Sequence, residues 1–313
     1  MSSRTTWADA AGRYLPDRIS SSLTADGGID KTPYVYLLPA LVLYAVVLVY
    51  PFVDTFILSF QRVTTLGGER RWVGLQNYEA ILTDPIFWRA SFNTVIFSIG
   101  MVFVPLVLGL VLAILIDTGL SGTSTFRSLI FVPVIVPLVV AGIVFGWILG
   151  SNGLLNHVLV SVGVIDEPMR FLNSTTWSLP SVLVMVVWKR TGYYLVILLA
   201  GLQGIPDNVY EAAKVAGKSR WETFRHITLP LLKPAILVTV IIGIIDSVKA
   251  FAHVYVMTGG GPSHSSEILA TYFYKVAFRF FQFGKGAAYG FILFAIALTL
   301  SLLVIRFSGG SEI

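Results

Sequence analysis

The sequence predicts an all-α membrane protein with six transmembrane helices, and three observations support this class. The 313-residue chain is 55% hydrophobic and only 12% charged, whereas a soluble domain carries roughly a quarter charged residues. Its mean hydropathy is +0.79, so it contains more apolar side chains than a globular core can hide from water. The apolar residues form continuous runs rather than alternating ones, and only helices or closed barrels satisfy the backbone in lipid.

Six apolar runs define the predicted spans, and each is close to the roughly 20 residues that cross about 30 Å of hydrocarbon. Residues 1–32 contain arginines but no apolar core, which argues against a cleaved signal peptide and predicts a polar cytoplasmic tail. Residues 308–313 form a short C-terminal tail, and residues 205–233 form a polar loop. The predicted spans are 33–58, 90–116, 128–149, 177–203, 234–257 and 286–306.

The composition excludes several classes of function. A net charge of +5 is modest, and on a membrane protein it indicates anchoring at the interface rather than nucleic-acid binding. The absence of cysteine excludes disulfides, thiolate nucleophiles and cysteine metal sites. The sequence also lacks a phosphate-binding G-x-x-x-x-G-K-[ST] loop, a pair of histidines at zinc-binding spacing and a G-x-S-x-G motif. We therefore expect no catalytic residue, cofactor or metal in this chain.

The polar loop at residues 205–233 carries the most informative motif. Three residues separate Glu211-Ala212-Ala213 from Gly217, and nine more separate Gly217 from Ile227-Thr228-Leu229-Pro230. The alanines are small enough for another protein to approach closely, so the loop predicts a docking surface. The predicted docking residues are Glu211, Ala212, Ala213, Gly217, Ser219, Ile227, Leu229 and Pro230.

Local signals predict a helix, a turn and a second helix in this loop. Pro206 and Asp207 suit the first turn of a helix, and Gly217 suits the left-handed residue that ends it. Ser219 and Glu222 fit a capping box, which opens a second short helix that we expect to stop before the proline of the motif. Spacing alone leaves two other interpretations open, a juxtamembrane helix that meets anionic lipid and a DNA-binding helix-turn-helix.

The spacing of this motif resembles the cytoplasmic loop by which permease subunits of binding-protein-dependent ABC importers contact their ATPases. Two positions depart from the family pattern, because many relatives carry Asp before the glycine and Ala after it, where this chain has Ala216 and Lys218. The hydrogen bond that the aspartate makes is therefore absent or replaced. Further stretches resemble the carbohydrate-type permeases of maltose and glycerol-phosphate systems: Val73–Tyr78 with Asn93-Thr94, Trp188-Lys189 leading to Ala200–Pro206, and Tyr255–Pro262.

The resemblance implies a type I ABC importer permease core with a cytoplasmic coupling helix. It also implies a second permease subunit, two ATPase subunits that bind ATP and Mg²⁺, an extracytoplasmic solute-binding protein and a carbohydrate-like solute. The localisation would be the bacterial plasma (inner) membrane, multi-pass in the lipid bilayer. Lysine and arginine favour a cytoplasmic N-terminus only slightly, and the docking loop supports it because an ATPase is intracellular.

Charged residues within the predicted spans are candidates for the translocation path. A charge at bilayer depth costs at least about 2.5 kcal/mol on insertion scales, so it needs a partner or a wet path. In a continuous fifth span, Asp246, Lys249 and His253 share one helical face. The candidate path residues are Lys189, Arg190, Tyr193, Asp246, Lys249 and His253. Three interpretations stay open: path lining, a structural pair of Asp246 with Lys249 or Lys189, and snorkelling of Arg190 to the interface.

Two other classes of function are alternatives to an importer permease. An ion-coupled secondary transporter would use Asp246 as a proton carrier, and it would carry inverted internal repeats, which the sequence does not show. A membrane-embedded enzyme or assembly factor would need acid, base or metal groups that converge at one depth, and the sequence shows none.

Overall fold

A computed structural model of the chain describes residues 32–63, 68–118 and 122–308. The predicted tails lie outside the described residues except for Thr32 and Ser308. The chain divides into two units, residues 1–55 and 56–313. The described part of the first unit is helical throughout, and its apolar side chains from Tyr36 onward are exposed. It consists of α1 (Thr32–Tyr44), a π-helical turn (Ala45–Val49) and the first residues of α2 (Tyr50–Leu58).

The regular secondary structure of the described second unit is helical apart from one short antiparallel hairpin, in which β1 (Gln61–Arg62) pairs with β2 (Arg71–Trp72). It also contains two π-helical turns, Phe224–Thr228 and Lys275–Arg279, each of which directly follows a short helix. The helices are α3 (Gln76–Leu82), α4 (Pro85–Asp117), α5 (Thr123–Ile135), α6 (Leu138–Ile148), α7 (Leu154–Ser161), α8 (Ser178–Gln203), α9 (Asp207–Val215), α10 (Arg220–Thr223), α11 (Leu229–Leu231), α12 (Lys233–Val248), α13 (Ala252–Met257), α14 (Leu269–Tyr274) and α15 (Phe283–Ser308).

Three helices of the described chain are long and apolar enough to cross a membrane: Tyr36–Leu58, Pro85–Asp117 and Ser178–Gln203. Two bent pairs raise the number to as many as five. Thr123–Ile135 with Leu138–Ile148 bends by 98°, and Arg220–Leu231 with Lys233–Ser247 bends by 62°. Phe283–Thr299 is a shorter apolar helix. The all-α membrane class is confirmed, whereas the count of six spans stays a prediction.

Two predicted spans are interrupted. The run 128–149 breaks after Ile135, because Pro137 has no N–H to donate and forces Val136 into an extended conformation with φ −61° and ψ 128°. The run 234–257 breaks between Val248 and Ala252. The prediction that Asp246, Lys249 and His253 share one helical face is therefore wrong, since they do not lie on one continuous helix.

Helix α8 is the most buried of these spans and packs along α4, α5 and α12. Close backbone approaches fix its position. A Cβ at Gly192 would lie 2.2 Å from the carbonyl oxygen of Ile130 in α5, and one at Gly109 in α4 would lie 3.1 Å from the backbone nitrogen of Leu195. Small residues allow membrane helices to pack this tightly.

The segment between α13 and α14 is fastened to the beginning of α4. Asn93 Nδ2 donates to the carbonyl oxygens of His264, Ser265 and Glu267 at 3.2, 3.1 and 2.9 Å. The Glu267 side chain is fully buried, and its carboxylate accepts from Thr271 Oγ1 at 2.6 Å and pairs with Lys275. One stretch that carries the family resemblance, at Asn93, therefore holds the segment that directly follows another, Tyr255–Pro262.

Candidate functional site

The first helix of the polar loop ends at a glycine turn. Helix α9 starts after Pro206 and ends at Val215, and Gly217 has a φ of +70°. The Lys218 N–H donates to the carbonyl of Ala213 at 3.1 Å, and the Gly217 N–H donates to that of Lys214 at 3.0 Å. This pair of bonds is the Schellman motif. The predicted left-handed glycine is confirmed.

The second helix opens with the predicted capping box. The Glu222 N–H donates to Ser219 Oγ at 3.3 Å, and Glu222 Oε2 accepts from the Ser219 N–H at 2.8 Å. Hydrogen bonds from the hydroxyl and the backbone of Ser219 hold the pKa of Glu222 below its ordinary value. The prediction that this helix stops before Pro230 is wrong. A π-helical turn precedes α11, and Pro230 fits in its first turn because a proline there has no helical N–H to lose.

An open groove of about 480 Å³ runs along this loop. Among the predicted docking residues, Ala212, Ala213 and Ile227 line it. Ala213 is only 4% exposed, so it contributes to the floor of the groove rather than to its rim. The remaining docking residues are exposed but do not line the groove: Glu211, Gly217, Ser219, Leu229 and Pro230.

Two exposed apolar side chains on this loop were missed by the sequence reasoning. Val215 is 91% exposed and Trp221 is 66% exposed, and the Trp221 ring lies 5.6 Å from that of Phe224. Helical spacing could have identified Val215, since it follows Ala212 by three positions and lies on the same face of α9. Large apolar side chains on an otherwise polar surface indicate contact with another molecule.

The structure assigns separate partners to the two cations of the fourth predicted span. Arg190 in α8 pairs with Asp246 in α12, and their side chains are 21% and 30% exposed. Lys189 Nζ donates to the carbonyls of Pro133 and Val134 at 3.3 and 3.0 Å, and also to that of Val136. Asp246 therefore pairs with Arg190 and not with Lys249 or Lys189, the two partners considered for it from the sequence. Whether these groups line the path stays a prediction.

Among the described residues, none of the other candidate path residues hydrogen-bonds to this pair, although the charges of Arg190, Asp246 and Lys189 act on His253. Tyr193 is half-buried against an apolar cluster that includes Leu198, and Lys249 is exposed in the break between α12 and α13. His253 is 7% exposed, and its Nδ1 has no hydrogen-bond partner among the described residues. Tyr194, which the sequence reasoning did not select, is fully buried, and its hydroxyl likewise has no partner among those residues.

Comparison with known proteins adds a family and several relatives. The family described as "Binding-protein-dependent transport system inner membrane component" matches residues 105–309. The lactose transport system permease protein LacF of Rhizobium radiobacter is 33% identical over 278 residues, covering 88% of this chain and 93% of that protein. The trehalose/maltose transport system permease protein MalF of Thermococcus litoralis is 34% identical over 283 residues, with the same coverage of 88% and 93%.

A solved structure has the same fold. It is the crystal structure of a bacterial ABC transporter involved in the import of the acidic polysaccharide alginate. One of its chains matches with a TM-score of 0.76 at 23% identity, covering 91% of this chain and 97% of that one. The likeness therefore extends over nearly the whole length of both chains.

Proposed function

Because the chain belongs to the family of binding-protein-dependent transport system inner membrane components, we propose that it forms part of the translocation path for a sugar or sugar-like solute. The protein is a membrane-spanning permease subunit of an ABC importer in the inner membrane. It is a transport subunit rather than an enzyme, and the ion-coupled secondary transporter considered above is excluded.

The relatives support a carbohydrate as the solute. Two of them are named for the transport of lactose and of trehalose and maltose. Both relatives align with 88% of this chain, so the solute path of the relatives has its counterpart here. The common chemistry of these solutes is a ring bearing several hydroxyl groups.

The proposed assembly contains four further proteins. They are a second permease subunit, two ATPase subunits that bind ATP and Mg²⁺, and an extracytoplasmic solute-binding protein. This chain would bind no cofactor itself. The N-terminus would be cytoplasmic, since that orientation places the loop between α8 and α12 on the side of the ATPases.

The observation that carries the coupling role is the groove on the loop between α8 and α12. The groove is lined by small side chains of α9, and Val215 and Trp221 add exposed apolar surface on the same loop. An ATPase surface that fills the groove would move the loop when nucleotide binds. The loop connects directly to the two helices that Arg190 and Asp246 hold together, so its movement would bias the path between outward and inward states.

Solute-stimulated ATP hydrolysis and uptake by the complete complex in lipid test this role with Gly217→Asp. The turn needs a positive φ and leaves open space around a Cβ, so the charged residue strains the turn that shapes the groove. We expect both activities to fall at least about tenfold, which corresponds to about 1.4 kcal/mol of docking energy.

Gly163→Asp is the matched control. Gly163 has a φ of +71° and equally open surroundings, but it lies outside the docking loop. It should leave both activities near wild type while membrane assembly of both variants stays normal. Unchanged uptake in Gly217→Asp would show that the loop is not the element that transmits ATP hydrolysis to transport.

A further inference from the structure

A polar pocket lies between the β1–β2 hairpin, α3 and the beginning of α15. Its volume is about 290 Å³. Two cations, Arg62 and Lys285, and the amides of Gln76, Asn77 and Gln282 line it. None of these residues belongs to the docking loop or to the candidate path, so the function proposed above does not use this pocket.

The walls of the pocket are held in place by contacts to the backbone. Asn77 Nδ2 donates to the carbonyl oxygens of Ser59 and Gln61 at 2.8 and 2.9 Å. The Phe283 N–H donates to the carbonyl of Val63 at 3.0 Å. A Cβ at Gly284 would lie 1.8 Å from the Gln61 carbonyl oxygen, so α15 packs directly on the hairpin. The pocket is therefore formed before any ligand arrives.

The charge of the pocket is positive. Arg62 is exposed and has no carboxylate within ion-pair distance in the described part of the chain. The nearest carboxylate to Lys285 Nζ is that of Asp84, at 3.5 Å. The same Asp84 oxygen accepts from Tyr272 at 2.7 Å, and the other accepts from the Ile86 N–H at 3.0 Å. Lysine has three N–H donors, so Lys285 keeps donors for a second anion.

The pocket lies where two apolar helices end. Helix α2 ends at Leu58, just before β1, and α15 begins at Phe283, next to Gln282. The ring of Phe56, near the end of α2, lies 5.0 Å between centroids from the ring of Phe291 in α15. Helix ends of this kind mark the boundary between hydrocarbon and headgroups.

An exposed tryptophan beside the pocket also indicates a position at the membrane interface. Trp72 of β2 is 64% exposed, and its ring stacks on Phe60 with centroids 5.7 Å apart. Tryptophan is enriched at the membrane interface, and lysine and arginine donate charge-assisted hydrogen bonds to phosphate. We propose that this pocket binds the phosphate of an anionic phospholipid headgroup. An acidic side chain of a protein partner would meet the same donors, but the interfacial position favours lipid.

Native mass spectrometry of the complete detergent-purified complex, titrated with phosphatidylglycerol, tests the proposal. The variants are Arg62→Gln, the double variant Arg62→Gln/Lys285→Gln, and the control Arg89→Gln, which neutralises an exposed arginine that does not line the pocket. We expect about fivefold weaker lipid binding in the single variant and about thirtyfold in the double variant, since one partly exposed pair of opposite charges contributes up to a factor of about five.

The charge-retaining variant Arg62→Lys should keep most of the affinity, and Arg89→Gln should keep all of it. If the double variant fails to assemble, the single variant Arg62→Gln still tests the proposal. Arg62 is exposed, so we expect this variant to fold. Inorganic phosphate should compete only weakly, and displacement of lipid by phosphate at equal concentration would overturn the proposal. Equal lipid binding by wild type and Arg62→Gln would overturn it too. Unchanged lipid binding with weakened binding of the solute-binding protein would assign the pocket to that partner instead.

Discussion

Lys189 shows how one residue accommodates a charge within an apolar run. Its ammonium group reaches the carbonyls of Pro133, Val134 and Val136, where α5 ends. The last carbonyls of a helix have no partner within that helix, and they carry the partial negative charge of its dipole. The lysine therefore satisfies backbone groups that the break before α6 leaves open, and those groups in turn offset the cost of burying its charge.

Lys189→Met should lower the stability of the protein by about 1–3 kcal/mol, because three carbonyls that are buried or half-buried lose their donor. The thermal unfolding midpoint of the complex in detergent measures this effect. Lys249→Met is the matched control, since Lys249 is exposed and its loss should change the midpoint little. Equal midpoints for the two variants would contradict the capping role.

Charge and hydropathy located the intramembrane charges in the sequence but not their partners. Lys189 and Arg190 are neighbours, yet consecutive residues on a helix point about 100° apart. One therefore faces α5 and the other α12. The partner of each depends on how the neighbouring helices are rotated and where they break, which the order of residues along one helix does not contain.

At the scale of elements, the ends of helices were predicted less well than their cores. The run 90–116 was bounded by charges, whereas α4 begins at Pro85, where Asp84 Oδ1 accepts from the Ile86 N–H. The break between α5 and α6 had a visible cause in Pro137. The break after α12 had none, because no proline or glycine lies between Ile244 and Phe251.

The close packing of α8 on α5 makes Gly192 intolerant of a side chain. In Gly192→Ala the new Cβ would lie 2.2 Å from the Ile130 carbonyl oxygen. This oxygen belongs to the backbone of α5, which cannot move aside as a flexible side chain can. We expect a loss of about 1–3 kcal/mol or more in stability, read as a lower unfolding midpoint or poor recovery of the folded complex.

Gly146→Ala in α6 is the control for this substitution. Nothing lies within 4 Å of a Cβ at Gly146. Alanine there should be neutral or stabilise by up to about 1 kcal/mol through its higher helix propensity. A midpoint for Gly192→Ala at or above that of wild type would mean that α5 and α8 are not packed this closely.

The capping box at the start of α10 should make this turn sensitive to acid. The pKa of Glu222 in the folded loop lies below its ordinary value of 4.5, because Ser219 donates to its carboxylate. A lowered pKa stabilises the turn at pH values above 4.5 and loses that effect as the pH falls through the folded value. Ser219→Ala should therefore speed amide hydrogen exchange in residues 220–223 at neutral pH, after correction for intrinsic rates.

This difference between Ser219→Ala and wild type should shrink as the pH falls below the folded pKa of Glu222. Thr223→Ala is a useful comparison, because Thr223 Oγ1 donates only to the carbonyl of Ser219 at 2.9 Å and does not contact the Glu222 carboxylate. A difference that is constant across the whole pH range would show that Glu222 takes no part in the cap.

At the scale of the whole molecule, a short polar motif in an apolar chain was enough to predict the family and the class of transporter. The apolar runs predicted the membrane class. Both the motif and the apolar runs are local signals, which can be recognised in a short stretch of sequence. The number of spans is not a local property. A bent pair such as α5 and α6 has the composition of one span, but its 98° bend depends on one proline and on the lysine that caps the break.

The docking surface leads to a prediction about assembly. Trp221→Ala should weaken association with the ATPase subunits by about 2 kcal/mol, or about thirtyfold in Kd, because exposed tryptophans are frequent hot spots of interfaces. Surface plasmon resonance with the purified ATPase measures this change in Kd directly.

Trp72→Ala is the matched control for this measurement. Trp72 is 64% exposed, compared with 66% for Trp221, and it packs on Phe60 much as Trp221 packs on Phe224. It should leave the affinity for the ATPase unchanged. An equal loss in both variants would indicate a general effect of removing an exposed aromatic ring.

The ion pair between Arg190 and Asp246 has a mechanical consequence. Helix α8, the loop and α12 are consecutive in the chain, and the ion pair links α8 to α12 at a distance from the loop. The two helices are therefore connected at two levels, by the loop and by the ion pair. The pair resists separation of the two helices at that level, so we expect them to turn together when a force acts on the loop. From Arg190 to Gln203 helix α8 is about 20 Å long, so each ångström of loop displacement turns it by about 3°.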